Sequence, residues 1–248
     1  MAKSSGLGDN FYVAGYNVSG DVNALGNISS PRGVLEDTGI DKSAMERLLG
    51  LQDGQVEFTS FFNDAAGQEH AALKTLPTAD IQVMYFRGTT VGNAAAAMTA
   101  KQINYDGTRA ADGGFTFQCQ AQANGYGLEW GQMLTPGVKT DTGALNGASI
   151  DTGASLSFGG QAYLQVFSFS GTDATVKIQD SADDSSFTTV AGFTFTQTTA
   201  APTFERLAIS NTSTIRRYVR AQSITTGGFT SLSFAVMVVK NPIAGRVF

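Results

Sequence analysis

Only one histidine, His70, and one cysteine, Cys119, occur in the whole chain. A single cysteine excludes an internal disulfide. A Ser-His-Asp triad has only one possible base, and zinc has no set of ligands. Cys119 sits among alternating apolar residues and reads as a small buried hydrophobe. His70, in Gly67–Leu73, reads as a solvated helix or loop position. Charge is also scarce: 15% of the 248 residues are charged, against about 25% in an average soluble domain. Glycine (29 residues), threonine, serine, glutamine and asparagine fill the gap, which suits β-sheet surfaces and protein contacts. The longest apolar run, Phe234 to Val239, is far too short to span a bilayer. The polar start, Met1 to Gly6, lacks the apolar stretch of a secretory signal.

No basic stripe is present to grip phosphates. Residues 1–135 carry eight basic and fourteen acidic side chains, a balance of −6, and the remainder carries eight and seven. No glycine-rich loop follows a strand and opens a helix with a nearby Lys-Ser/Thr, so no phosphate cradle is expected. The best acidic group is Asp180, Asp183 and Asp184. Paired carboxylates could hydrolyse a glycosidic bond or hold calcium or sugar, but a polar turn between strands explains them at least as well, because Asp and Ser bond to their own backbone there. Arg216, Arg217 and Arg220 form the basic cluster, read as an interface or salt-bridge group, and Trp130 reads as a strand-end core or interface residue. Neither an enzyme nor a cofactor is expected.

Strand signals are plentiful. From Phe115 to Asn124 the alternation is strict: Phe115, Phe117, Cys119, Ala121 and Ala123 take one face, and Thr116, Gln118, Gln120, Gln122 and Asn124 the other. Gln102, Asn104 and Asp106 alternate with Ile103 and Tyr105 just upstream. Strands are also predicted at 10–19, 55–62 and 81–87. Asp41 as an N-cap, with Met45, Leu48 and Leu49 at i, i+3, i+4 and Gly50 as the stop, predicts a helix. A second short helix is predicted within Gly67–Leu76. Pro136 to Gly153 is rich in turn residues, which places a boundary near residue 140 between domains 1–139 and 140–248. The second domain shows short strands and turns throughout, the pattern of a β-sandwich, jelly-roll or Ig-like. The predicted fold class is mainly β: an N-terminal β-sandwich or barrel with one or two flanking short helices, and a C-terminal all-β sandwich.

Five stretches resemble the major tail (tube) proteins of long-tailed bacteriophages, notably those infecting actinobacteria. They are residues 12–21 (YVAGYNVSGD), 37–47 (DTGIDKSAMER), 54–63 (GQVEFTSFFN), 101–109 (KQINYDGTR) and 122–130 (QANGYGLEW). The resemblance implies a non-enzymatic virion protein of the tail, made in the bacterial cytoplasm. It also implies hexameric rings of the chain with itself, stacked into a hollow tube, with the C-terminal sandwich outside. Tape measure and terminator proteins would be partners, DNA would pass through without specific binding, and no membrane would be involved. A lumen for sliding DNA should be neutral or negative. Its lining would then be Thr116, Gln118, Gln120, Gln122 and Asn124, with Gln102, Asn104 and Asp106 beside them. The polar segment 20–33 is expected to be a contact loop between subunits, through Asp21, Val22, Asn23, Leu25, Asn27 and Ile28. The alternative reading is a capsid or tail decoration, or a carbohydrate-binding adhesion protein.

Overall fold

A computed structural model describes residues 5–244; the polar start at 1–4 and the last four residues lie outside the described residues. The chain is mainly β, in three sheets. In order, the strands are β1 (Asn10–Val13), β2 (Tyr16–Asn17), β3 (Val22–Ser29), β4 (Arg32–Glu36), β5 (Arg47–Gln52) and β6 (Gln55–Phe61). A five-residue helix, α1 (Glu69–Leu73), follows. Then come β7 (Ile81–Phe86), β8 (Ala94–Arg109), β9 (Phe115–Ala123), β10 (Glu129–Met133), β11 (Lys139–Asp141), β12 (Leu145–Asn146) and β13 (Ile150–Asp151). The chain ends with β14 (Gly160–Gly171), β15 (Thr175–Ser181), β16 (Thr188–Thr194), β17 (Thr203–Ile209), β18 (Tyr218–Ile224) and β19 (Phe229–Lys240).

One large sheet runs β17-β14-β19-β10-β8-β7-β1-β2, and β3, β6 and β9 join it through the far half of β8. Burial divides the apolar residues of this sheet into three cores. Phe11, Val13, Val83, Met98 and Ala100 on one side meet Val56, Phe58, Phe117, Cys119 and Ala121 on the other, with the Phe11 and Phe58 rings edge to face at 4.9 Å. The opposite face of the same strands carries Tyr12, Met84, Phe86, Ala95 and Ala97, packed on Tyr163, Met237 and Val239. The third core lies between β14–β19 and the β12-β18-β15-β16 sheet, and includes Leu164, Val236, Val176, Ile178 and Val219. Strand β7 is therefore buried on both faces, which is why Ile81–Phe86 is apolar at both parities.

The large sheet curls until its ends meet. The Gly15 amide donates to Gln165 Oε1 (2.5 Å), and Gln165 Nε2 donates to the Gln82 carbonyl (3.0 Å). Gln82 Nε2 in turn donates to the Glu205 carbonyl (3.0 Å). These amide side chains replace ladder bonds where the strands do not pair. The boundary expected near residue 140 falls in β11, which pairs with β19. β10 also pairs with β19, so the halves on either side of residue 140 share one sheet.

The structure corrects the helix expected from Asp41 to Gly50. Arg47–Gln52 is strand β5, paired antiparallel with β4 so that Glu36 faces Arg47, Leu35 faces Leu48 and Val34 faces Leu49. A two-turn helix is too short to stand alone in water, and the stripe Met45, Leu48, Leu49 has nothing to pack on, since all three are exposed. Cross-strand pairing gives these residues the apolar neighbours a helix would lack. The second short helix is found, as α1.

Gly131 marks the closest approach of β10 to β19: a Cβ there would lie 2.2 Å from the Val238 carbonyl oxygen. Overpacking of this kind costs about 1–3 kcal/mol. Gly131→Ala is expected to lower the unfolding free energy in urea by about 2 kcal/mol or more. Gly143→Ala, which has open space around it, is expected to stay within about 0.5 kcal/mol of the parent.

Candidate assembly surface

Strands β3, β6, β9 and the far half of β8 form a four-stranded wall whose inner face closes the first core. The outer face is polar, and the register fixes its membership. Gln55 stands opposite Gln122, Glu57 opposite Gln120, Thr59 opposite Gln118, and Phe61 opposite Thr116. On the other flank of β9, Lys101 faces Gln122, Asn104 faces Gln120, Asp106 faces Gln118 and Thr108 faces Thr116. Thr116, Gln118, Gln120 and Gln122 thus lie together, as the alternation predicts, while Phe117, Cys119 and Ala121 are buried beneath them. Asn124 follows β9 and donates to Asp80 Oδ1 (2.9 Å).

Gln102 is a correction. A bulge lies between Gln102 and Asn104, so strict alternation fails at Ile103. Gln102 stands opposite buried Ala121 and sends its Nε2 inward to the Leu73 carbonyl (2.7 Å), under α1. Asn104 and Asp106 stay on the outer face, with Asn104 Nδ2 donating to Asp106 Oδ2 (2.6 Å). A bulge inserts one residue and shifts the parity after it; no composition signal announces it.

The outer face is poor in free cations. Lys101 is held by Asp80 (2.7 Å) and the Thr78 carbonyl (2.5 Å). Its hydrogen bond, with that from Asn124, keeps the Asp80 carboxyl below the ordinary carboxylate range. Glu57 takes a hydrogen bond from Gln55. What remains along the strands is mostly amide, hydroxyl and carboxylate, with the exposed Phe61 at one end of the same face.

The segment expected to be a contact loop is instead strand β3, with bulges between Val22 and Ala24 and between Leu25 and Asn27. The two bulges keep Val22, Leu25 and Ile28 against the first core although they are spaced by three. That spacing conceals the strand from a period-two reading. Asn23 is exposed and Asn27 half-buried. Asp21 is buried and works inward: Oδ1 accepts from Asn63 Nδ2 (2.8 Å) and Oδ2 from the Glu69 amide (3.0 Å).

Glu69 itself is 0% exposed. Ser60 Oγ donates to its Oε1 (2.8 Å) and Tyr105 Oη to its Oε2 (3.0 Å). His70 Nδ1 lies 3.0 Å from the same tyrosine oxygen, so His70 is half-buried and partnered rather than solvated. This polar cluster pins α1 to β6 and β8. Burial, with Glu69 nearby, pushes the Cys119 thiol up to about 12.

Two exposed features were not legible as surfaces. The β4–β5 hairpin stands as an arm with Val34, Leu35, Ile40, Met45, Leu48, Leu49 and Leu51 exposed, Leu51 at 91%. The arm joins the wall where the Asp53 amide meets the Pro31 carbonyl (2.8 Å). At the other end of β6, Phe61, Phe62 and Phe115 are exposed. Leucines paired with helix formers hide a strand, and two adjacent phenylalanines read as core.

In the C-terminal half, Asp183 and Asp184 lie in the turn that follows β15, while Asp180 is a buried residue of that strand. Asp183 Oδ1 accepts from the amides of Ser186 (2.9 Å) and Ser185 (3.0 Å) and from Ser181 Oγ (2.7 Å), which hold its carboxyl far below the usual range. Asp180 is engaged by Arg216 through its amide (2.7 Å) and guanidinium (2.8 Å). Arg217 pairs with Asp151 (2.6 Å), whose carboxyl it lowers to about 2. Trp130 is half exposed at the edge of a cleft with Lys240, and its ring meets Tyr85 edge-on at 6.3 Å. Among the described residues no three His, Cys, Asp or Glu side chains are grouped to hold a metal ion, and no helix is long and apolar enough to cross a membrane.

No family model matches the chain, and no curated protein matches it. Solved structures give distant likenesses. The chain is similar to a protein of the tail of an empty GTA particle with C6 symmetry, at 16% identity over 44% of this chain and 81% of that one (TM-score 0.34). It is similar to the SPP1 Dit (gp 19.1) protein, described as a hub adsorption apparatus in phages infecting Gram-positive hosts, at 10% identity over 93% and 98% (TM-score 0.33). A chain of the phage p2 baseplate in its activated conformation with Sr matches at 9% identity over 95% and 99% (TM-score 0.34). At these scores no role for the chain follows from them.

Removing the Asp21 carboxylate strands the Glu69 amide and Asn63. Asp21→Ala is therefore expected to cost about 1–3 kcal/mol in urea unfolding. The buried, thiolate-poor Cys119 is expected to react with iodoacetamide at pH 8 at least about 100-fold more slowly in the folded protein than in 6 M guanidinium, read by mass spectrometry.

Proposed function

We propose that this chain is a structural subunit of a bacteriophage tail that joins edge to edge into rings and stacks into a hollow tube. The observation that carries the reading is the wall with two unpaired edges. Among the described residues β3 pairs with β6 alone, and β8 beyond Ala100 pairs with β9 alone. The free edge of β3 is eight residues long and that of β8, residues 101–109, is nine, so edges of similar length flank a single polar face. An open edge is a template for another chain, and closure into a barrel removes it. Copies joined β3 to β8 would turn the face of Thr116, Gln118, Gln120, Gln122, Asn104 and Asp106 to one side of a closed wall. That face is cation-poor and suits a channel past which DNA moves without sticking.

On this reading the partners are further copies of the chain, six to a ring as the sequence resemblance implies, and other tail proteins such as tape measure and terminator proteins. DNA is a passenger, and the site of action is the virion tail. Residues 1–139 form the tube module, and residues 140–248 project outward. The arm takes the contact role first expected of segment 20–33.

Electron microscopy of the purified chain at rising concentration tests the proposal: rings or tubes with a central hole are expected, and discrete monomers throughout would sink it. Gln118→Lys with Gln120→Lys should leave tubes intact but make them retain double-stranded DNA, with retention lost between about 50 and 200 mM salt. No retention by intact tubes would remove these residues from the lumen.

A further inference from the structure

Asparagine is a chemically labile residue, and glycine after it leaves the backbone free to approach the side chain, since no Cβ obstructs it. Two Asn-Gly pairs occur in the chain, Asn124-Gly125 and Asn146-Gly147. Both asparagines are exposed, yet the fold treats the two glycine amides oppositely. The Gly147 amide donates to the Ala221 carbonyl (2.8 Å) at the end of the β12–β18 ladder, and Asn146 Oδ1 accepts from Gln222 Nε2 (2.6 Å). Strand pairing therefore holds both groups that would have to react. A Cβ on Gly147 would lie 2.8 Å from the same carbonyl, so the backbone has little room to swing. The Gly125 amide, by contrast, has no acceptor among the described residues. Gly125 stands at φ +79° just beyond β9, with nothing within 4 Å of where a Cβ would sit. Asn124 is anchored beside it, its amide on the Thr99 carbonyl (3.0 Å) and its Nδ2 on Asp80 Oδ1 (2.9 Å).

We propose that Asn124 is a site of spontaneous modification, at which the Gly125 amide converts the carboxamide to a carboxylate with water as the only co-reactant. A solvent base takes the Gly125 amide proton, the nitrogen attacks Asn124 Cγ, and the Cγ–Nδ2 bond breaks as ammonia leaves with a proton from water. The five-membered imide then adds water at one of its two carbonyls. Opening one C–N bond gives aspartate, and opening the other gives isoaspartate. In net terms one carboxamide and one water become one carboxylate and one ammonium ion. The chemistry does not depend on the ring-and-tube reading. Its consequence is local. The new carboxylate replaces a donor to Asp80 with a second acceptor of like charge, leaving Lys101, 2.7 Å from Asp80, as the cation they share. Isoaspartate also lengthens the backbone by one atom at the head of a loop fixed from two sides. Farther along that loop the Arg206 guanidinium of β17 lies 3.7 Å over the Tyr126 ring. The Leu128 carbonyl accepts from Ser30 Oγ (3.0 Å) and Gln52 Nε2 (3.2 Å) at the base of the arm. A change at Asn124 is therefore felt by both halves of the chain.

Peptide mapping of the full chain, aged for days at mildly alkaline pH, tests this. Brief digestion with trypsin separates the two pairs, because Lys139 lies between them, with Arg109 upstream and Lys177 downstream. Fragment-ion mass spectrometry should place a gain of about one dalton at Asn124, as mixed aspartate and isoaspartate, at least tenfold faster than at Asn146. In guanidinium, where no strand holds Gly147, the two rates should converge. An Asn124 that stays intact in the folded chain while reacting in guanidinium would overturn the proposal, as would an Asn146 that keeps pace with it. Asn124→Gln keeps an amide for Asp80 but needs a larger ring, and should abolish the gain in its peptide; a gain at the parental rate would assign the reaction to another residue. On anion exchange the aged parent should develop a peak that co-elutes with Asn124→Asp. Asn124→Asp should also unfold at lower urea than the parent, and adding Asp80→Asn should recover most of that loss. An unchanged midpoint in Asn124→Asp would overturn the clash with Asp80.

Discussion

The rest of the molecule hangs on β8. Its first seven residues, Ala94 to Ala100, lie in the large sheet between β7 and β10, where small side chains let both faces be covered. The remainder passes out of that sheet and pairs only with β9, forming one margin of the wall. One continuous strand therefore belongs to two layers: it changes partner from β7 to β9 at Ala100, which pairs with both Ile81 and Ala123, and its side chains change face at the bulge beside Ile103. The alanines explain the first half: a larger residue at Ala95 or Ala97 would press into the second core, and one at Ala96 or Ala100 into the first. The change of face at the bulge explains why Gln102 serves α1 while Asn104 serves the outer surface.

The buried polar cluster beneath the wall follows from the same arrangement. With β8 leaving the large sheet, the space between it and β6 is bridged by a helix of five residues, too short to hold itself. Glu69 and Asp21 supply the missing constraint through four hydrogen bonds to Ser60, Tyr105, Asn63 and a backbone amide. A buried carboxylate is costly unless bonded, and here each oxygen has its donor. The cluster specifies where the wall sits relative to the core.

Much of this was legible in the residues. β9 could be read outright because its alternation is unbroken, and the C-terminal strands could be read from their spacing. The turn chemistry of Asp183 followed from composition alone. Bulges were the main obstacle: β3 carries two and β8 one, and each cancels the period-two signal while preserving the core contacts of Val22, Leu25, Ile28 and Tyr105. The arm failed differently. Its leucines, methionine and Lys-Glu pair favour a helix locally, and only pairing with β4, set by the close of the hairpin at Pro31 and Asp53, decides for strand. Nothing near residue 140 announced that β10 and β19 would run side by side.

That side-by-side run has a mechanical meaning. β14 and β19 pair along eleven registered positions, and β19 passes directly to β10 and thence to β8. A pull applied to the C-terminal half along the strands loads these ladders in shear, with all their hydrogen bonds strained together. The same pull across a flexible tether would be absorbed by the tether alone. Bending or jolting of the outer half is thus passed stiffly into β8 and on to the wall, so the two halves respond to force as one spring.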